Sequence, residues 1–415
     1  MPAARPSAKK LPASDLSTRT PMAAVCGLTF LCSIGTGVVW AGIPFIARHD
    51  YGFGKRQTLL LYLSMGLTYV IGALSTGAGL RAVEQRLSHR AVLAIILVIS
   101  IAASLTLMVS RSGWMLWSVA IAINIVMSWL WPIVESYATA GKHGRAMRNA
   151  LGLWNITWTS AVLASLLLMA PFVAEHARWS LAGTSAVFGL SLVTLAWFSP
   201  HPAAHGSADE DDGVDRREYP HLLRSARMLL LASYVLNSAM SPLLPFLCER
   251  VSVAAEHQTP VAAVWTAARV VVVAIMWRAG FWHGRWGTLL LGGLGMASGF
   301  VLIVTSSSLP MLIAGLACIG TGMAIVYFAT LYYAMTVGAA EVEASGKFEA
   351  MIGLGYTAGP AAGLLGERFA NRFEQTPLGP DGGVVIAALC LLAIASLLAL
   401  RPYAKARRAR TASGR

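Results

Sequence analysis

WPIVESYATAGKHGRAMRNALGLWNITWTS, residues 131–160, passes from the end of one apolar run through a short basic segment into the start of the next. Two such runs read as consecutive membrane crossings, because a backbone inside hydrocarbon must satisfy its own hydrogen bonds and therefore crosses as a helix. Glu135 stands near the end of the first run, seven residues before Lys142, or about 10 Å along a helix axis. It reads as the only carboxylate well inside an apolar run. An ionisable side chain at that depth costs about 2.5–3.5 kcal/mol on insertion scales, so it points to function.

Outward from this pair (114–140 and 150–173), apolar runs recur near 22–47, 58–80, 91–110 and 180–198, then near 225–247, 259–277, 287–306, 310–337, 349–366 and 383–401. Each is long enough to cross about 30 Å of hydrocarbon. The first exceeds a signal-peptide core of roughly 7–15 residues and reads as a span. A polar block rich in acidic residues, 199–222, separates six runs from six and reads as a solvated linker. The expected organisation is a tail (1–21), a six-helix half (22–198), the linker (199–222), a second half (223–402) and a basic tail (403–415). The fold class is all-α integral membrane, with twelve transmembrane helices.

Composition agrees. Hydrophobic residues make up 56% and charged residues 12% of the chain, against about 25% charged in soluble domains. The net charge of +13 does not indicate nucleic acid, since the basic residues lie in short loops and at the ends. With the N-terminus cytoplasmic, 23 Lys and Arg fall on the inside and 8 on the outside, so both termini are expected in the cytoplasm of a plasma (inner) membrane protein. The tail KARRARTASGR reads as a positive-inside anchor, with anionic lipid as the alternative partner. The five cysteines lack CxxC spacing, so neither a metal site nor a disulfide framework is expected. The absence of HExxH, GxSxG and P-loop patterns argues against an enzyme or an ATP-driven pump. No cofactor is expected. All nine histidines fall in or beside loops, which leaves no histidine relay across the membrane.

The halves repeat. PFIAR from Pro44 matches PFLCER from Pro245, and Gln57-Thr58 matches Gln258-Thr259, both at an offset of 201; WPIVESY ending at Tyr137 lies over YFATLYY ending at Tyr333, at 196. An even number of spans intervenes, so the repeat is parallel, with a substrate site expected near the midplane between halves.

With this repeat the chain resembles the major facilitator superfamily over essentially its whole length. The loop after the second run, Gly72 to Arg81, resembles the family's glycine-and-arginine signature in Gly72, Leu74, Gly79 and Arg81; Thr76 stands where the family usually has an aspartate. The resemblance implies a secondary transporter working by alternating access as a monomer, with the fifth and eighth helices facing each other and the first, seventh and tenth lining the cavity. Gly359 and Pro360, within a glycine-rich eleventh run (glycines at 353, 355, 359, 363 and 366), give a smooth face for sliding. Gly72, Gly79, Arg81, Gly359 and Pro360 are the expected conformational motif.

Glu135 is the candidate proton carrier; its alternative is a structural ion pair or a hydrogen-bonded acid. Arg269, nine residues or about 13 Å from Arg278, suits an anionic substrate group or Glu135 itself, with a local role as the alternative. Asn155 and Trp158 lie at similar depth, and Asn155 reads equally as an interhelical hydrogen bond. Trp40, Asn237, Ser241, Tyr327 and Tyr332 are candidate ligand contacts, each with core packing as its alternative. The expected partners are a small organic solute, protons and membrane lipids, and no nucleic acid. A non-transporting sensor or lipid-binding protein of the same fold is the second reading, favoured by Thr76.

Overall fold

A computed structural model describes residues 19–109, 112–142, 144–203, 218–337, 342–369, 372 and 382–413. The N-terminal tail up to residue 18 and residues 204–217 of the expected acidic linker lie outside the described residues. Among the described residues there are twelve long helices and no strand: α1 (Met22–His49), α2 (Lys55–Val83), α3 (His89–Val109), α4 (Gly113–Thr139), α5 (Gly144–Val173), α6 (Ala177–Thr194), α7 (Tyr219–Arg250), α8 (Ala255–Arg278), α9 (Trp286–Val304), α10 (Leu309–Val337), α11 (Val342–Glu367) and α12 (Gly382–Ser413). Eleven are apolar enough in themselves to cross a membrane; α11 is not. Its sequence carries Glu343, Lys347, Glu349 and Glu367, which lowers its hydropathy.

Within the first half α1 packs on α5 and α6, and α4 on α2 and α3; in the second half α7 packs on α11 and α12, and α10 on α8 and α9. The halves meet where α2 lies along α11 and α5 along α8, with α4 also touching α11. The end of the bundle where α1 and α7 begin is termed the near side, and the end where they stop is the far side.

Three boundaries differ from the sequence reading. The segment Gly72–Arg81, expected as a loop, is helical and lies inside α2. Its glycines give α4 room: a Cβ at Gly72 would collide with the Ser128 hydroxyl, and one at Gly79 with the Trp129 ring. That close approach offsets the roughly 0.5–1 kcal/mol that glycine costs a helix. The expected basic tail is helical as far as Ser413, as a continuation of α12. Finally α11 starts at Val342, a turn and more before the hydropathy edge at 349.

The repeat is visible as matched breaks. α1 is interrupted by a π-turn at Val38–Gly42 and α7 by a 3-10 turn at Ser241–Leu243, each just before the Pro-Phe pair of its half. Such breaks free side chains from the regular ladder and occur often at functional sites; Trp40 and Ser241, 201 residues apart, sit in them. Arg48 and Glu249 are also repeat equivalents, and they meet across the far side as a bidentate pair, with Arg48 Nε 2.8 Å from Glu249 Oε1 and a second nitrogen 3.0 Å from Oε2. Residues that are equivalent and in contact must straddle the axis relating the halves, where like charges would repel. His49 and Gln258 add a 2.9 Å bond beside them. Glu249→Lys is expected to part the far-side ends of α1 and α7, read as a lengthened spin-label distance between them. An unchanged distance means that the pair, about one-third exposed, is an incidental surface contact worth at most about 1 kcal/mol.

Candidate functional site

A cavity of about 110 Å³ lies between the halves. Five helices contribute faces spaced by three, four or seven residues, the period of one helical stripe. From α1 come Ser33, Thr36, Gly37 and Trp40; from α5, Trp154 and Trp158; from α7, Tyr234, Asn237 and Ser241; from α8, Trp265 and Arg269; from α11, Glu349, Ile352 and Tyr356. Tyr69 of α2, Trp131 of α4 and Tyr327 of α10 complete the wall.

Arg269 is 2% exposed. Its guanidinium lies 4.7 Å from the ring centroid of Trp158, 5.4 Å from Trp265 and 5.5 Å from Tyr327, a cage of ring faces whose attraction grows when water is excluded. Among the described residues it forms no ion pair with a carboxylate, so the direct contact with Glu135 that the sequence admits does not occur, and its Nε has no hydrogen-bond partner. Two other cavity-lining side chains are in the same condition. Asn237 Oδ1 and Ser33 Oγ are buried without partners, at 7% and 1% residue exposure. Buried polar groups are nearly always satisfied, so three orphaned atoms on one cavity mark it as a place for a polar ligand.

Glu349 is the correction to the sequence reading. It is 6% exposed, lines the cavity, and accepts a 2.6 Å hydrogen bond from the Tyr69 hydroxyl across the two halves. Glu135 is therefore not the only carboxylate buried in a span. Hydropathy misses Glu349 because it puts the edge of the eleventh run at that residue, whereas α11 begins at Val342 and carries Glu349 about 10 Å inward. The signal that finds it is the stripe Glu349, Ile352, Tyr356. The groups facing it electrostatically are Tyr69 of α2, Glu135 of α4, Tyr234 of α7, Tyr327 of α10 and Tyr356 of α11, and Arg269 acts on the last three of these tyrosines.

Of the sequence candidates, Trp40, Trp158, Asn237, Ser241, Tyr327 and Arg269 converge on this cavity. Trp40 stacks on Tyr356 at 3.8 Å, so its ring forms a shelf bridging α1 and α11. Asn155 stands behind the wall: its Nδ2 donates to Leu151 O, and its Oδ1 accepts from Trp158 Nε1 at 3.0 Å, fixing the ring that covers Arg269. Glu135 is buried on α4 but is not part of the lining. Gly359 lets α11 close on Ser238 and Val235 of α7 within one half, and the adjoining Pro360 is also inside α11. Arg81 is exposed on the last turn of α2.

Tyr332 belongs elsewhere. It is stacked on His283 at 4.3 Å and packs on Trp282 in the near-side corner between α8 and α9. The cause is helical phase: five residues beyond Tyr327, it points away from Tyr327's face. Burial, then the Arg148 guanidinium, holds the His283 imidazole below its ordinary value. The unfolded chain therefore takes up this proton first, and stability falls as pH drops below about 6.5 towards the lower folded value. His283→Gln is expected to flatten the unfolding midpoint against pH between about 5 and 7; a slope identical to the parent's would show that His283 carries none of it.

The sequence profile of the Major Facilitator Superfamily matches residues 25–364. No curated protein is matched by sequence. Among solved structures, the nucleoside transporter NupG aligns with a TM-score of 0.63 at 13% identity, covering 92% of this chain and 98% of its own. The human organic anion transporter MFSD10 (TETRAN) aligns at 0.65 and 16%, covering 94% and 100%. A bacterial homolog of the human lysosomal transporter Spinster, in an inward-facing and unoccupied conformation, aligns at 0.63 and 14%, covering 95% and 98%. At these identities the likeness carries the fold alone.

Proposed function

Because this multi-pass membrane chain belongs to the Major Facilitator Superfamily, we propose that it is a secondary transporter in which two six-helix halves rock around the Arg269 cavity, driven by protons. The observation that carries this reading is the cavity itself: it lies between the halves, takes polar and aromatic side chains from both, and holds an acid and a base in one low-dielectric space. The second carboxylate, Glu135, is within Coulombic reach of Glu349. Two like charges in such a space favour retention of one proton between them. Arg269, the one cation among the described lining residues, offsets the charge that these acids keep. An anion arriving at Arg269 upsets that balance and favours a second proton, so solute and proton travel together. Glu349, as the cavity-lining member, is the one that meets the solute, and Glu135 is the reserve.

The orientation in this reading follows the 23-to-8 distribution of Lys and Arg, which makes the near side cytoplasmic in a cell (inner) membrane. A cysteine at position 209 is expected to react with a membrane-impermeant thiol reagent from the cytoplasm only, and labelling from outside would overturn the orientation.

One observation favours the second reading, a non-transporting sensor or lipid-binding protein. The Thr76 hydroxyl is turned back onto Gly72 O at 3.1 Å, and so makes no link from α2 to another helix. Solute flux in proteoliposomes separates the two. Movement of a bound solute down an imposed pH gradient supports the transporter, and binding without any flux supports the sensor.

A further inference from the structure

We propose that the cavity selects a small planar aromatic monoanion bearing a hydrogen-bond donor away from its carboxylate. The physiological meaning of this selectivity rests on the transport reading above, but the recognition itself rests only on the geometry of the cavity.

The anion follows from Arg269. Its Nε–H is buried and unpartnered, and the guanidinium presents a planar fork that matches a carboxylate and cannot be discharged by losing a proton. Glu349 is in the opposite condition, since Tyr69 already donates to it at 2.6 Å. The cation is held by three rings and by a hydrogen bond with Tyr234, and only its Nε–H is still open, so the ligand brings the negative charge to that edge. Arg269 is the one cation among the described lining residues, which matches a single anionic group and makes the ligand a monoanion.

The donor follows from the acceptor side. Asn237 Oδ1 accepts and cannot donate, and it has no partner; nor has the Ser33 hydroxyl on the opposite half. A ligand hydroxyl or amine meets them, and in doing so joins α1 of one half to α7 and α8 of the other. The planar ring follows from the walls. Trp40 is stacked on Tyr356 at 3.8 Å and 18° and Trp158 meets Tyr327 edge-on at 66°, so each pair already fills its inner faces, and a ligand ring meets their outer faces and edges in offset or edge contact. Size sets the bound. A cavity of about 110 Å³ lies below the roughly 150 Å³ that holds a benzene ring, so a single ring enters only as the walls part slightly, and a nucleotide is larger still.

The test measures binding to the purified full-length protein by calorimetry and thermal shift, using 4-hydroxybenzoate, benzoate, cyclohexanecarboxylate and benzylamine. We expect 4-hydroxybenzoate to bind tightest, benzoate to bind on the order of tenfold tighter than cyclohexanecarboxylate because the ring contacts are lost in the latter, and benzylamine not to bind. Arg269→Lys, which keeps the charge but loses the fork, is expected to weaken both benzoates by on the order of tenfold or more. Asn237→Ala is expected to weaken 4-hydroxybenzoate more than benzoate, so that the ratio between the two falls towards one. Equal binding of cyclohexanecarboxylate and benzoate, tighter binding of benzylamine, or no binding by any of the four overturns the proposal. The comparison among ligands on the parent protein needs no variant, so a misfolded variant does not blunt it. If the benzoates bind as expected and none is moved in proteoliposomes, the transport reading falls and the selectivity stands. If a non-aromatic or cationic solute is moved down the pH gradient, the selectivity falls and the transport reading stands.

Discussion

Glu349→Gln is expected to abolish accumulation of solute against its gradient under an imposed pH difference, while binding and downhill exchange persist. The variant is nearly isosteric. Its amide oxygen still accepts the bond that Tyr69 donates to Glu349 at 2.6 Å, so the contact between α2 and α11 survives, but the group can no longer change its charge. A carrier that cannot titrate still moves solute downhill and cannot harvest the proton gradient. The expected loss of pH-driven uptake is tenfold or more, corresponding to about 1.4 kcal/mol of coupling or above. Tyr69→Phe provides the opposite control: the charge remains and the hydrogen bond between halves goes, so the pH dependence should persist while the rate changes. Glu135→Gln, measured alongside, distinguishes the two acids. If it alone removes the pH-driven uptake, Glu135 is the carrier; if both glutamine variants respond normally to pH, protons are not the coupling ion.

The second large effect is expected at Gly66, where α2 and α11 touch backbone to backbone. A Cβ there would lie 2.7 Å from the carbonyl carbon and oxygen of Tyr356 and 2.7 Å from Thr357 N. Main chain cannot swing aside as a side-chain tip can, so Gly66→Ala must separate the halves. Overpacking of this kind costs about 1–3 kcal/mol. In the rocking mechanism proposed above, α2 and α11 belong to different halves, so that cost falls on the closed arrangement and not on the folding of either half, and it shifts the population by roughly 5- to 150-fold. Spin labels spanning α2 and α11 should report a longer mean distance with little change in the unfolding midpoint. Gly299→Ala is the contrast: its Cβ would meet Gly315 O at 2.8 Å, a clash between α9 and α10 within one half. That variant should lower the midpoint and leave distances between halves alone. If Gly66→Ala lowers the midpoint as much as Gly299→Ala and moves no distance, the seam between α2 and α11 is not a moving surface.

Much of the site is legible in the sequence. Trp40, Asn237, Ser241, Tyr327, Trp158 and Arg269 each stand out as polar or aromatic side chains in apolar runs, and all six converge on the cavity. The failures share a cause. Hydropathy passes over Glu349 because it averages along the chain, and the charges around this residue pull the apparent helix start inward. Tyr332 is drawn in by its neighbour Tyr327, which does belong, although five residues put it on another face. The Arg48–Glu249 pair is legible in principle: the offset of 201 that aligns PFIAR with PFLCER sets these opposite charges on equivalent positions.

By itself the sequence determined the crossings and their parallel repeat, since insertion into a bilayer is largely a property of each segment taken alone. It also determined that few charges are available in the membrane to do chemistry. Only the tertiary structure decided which of them meet. The rotation of each helix about its own axis is set by packing against neighbours, and in a chain apolar on nearly every face the hydrophobic pattern alone does not record that angle. Packing turned Glu349 towards Tyr69 and the cavity, left Glu135 one layer behind, and enclosed Arg269 in indole and phenol rings with one donor unspent.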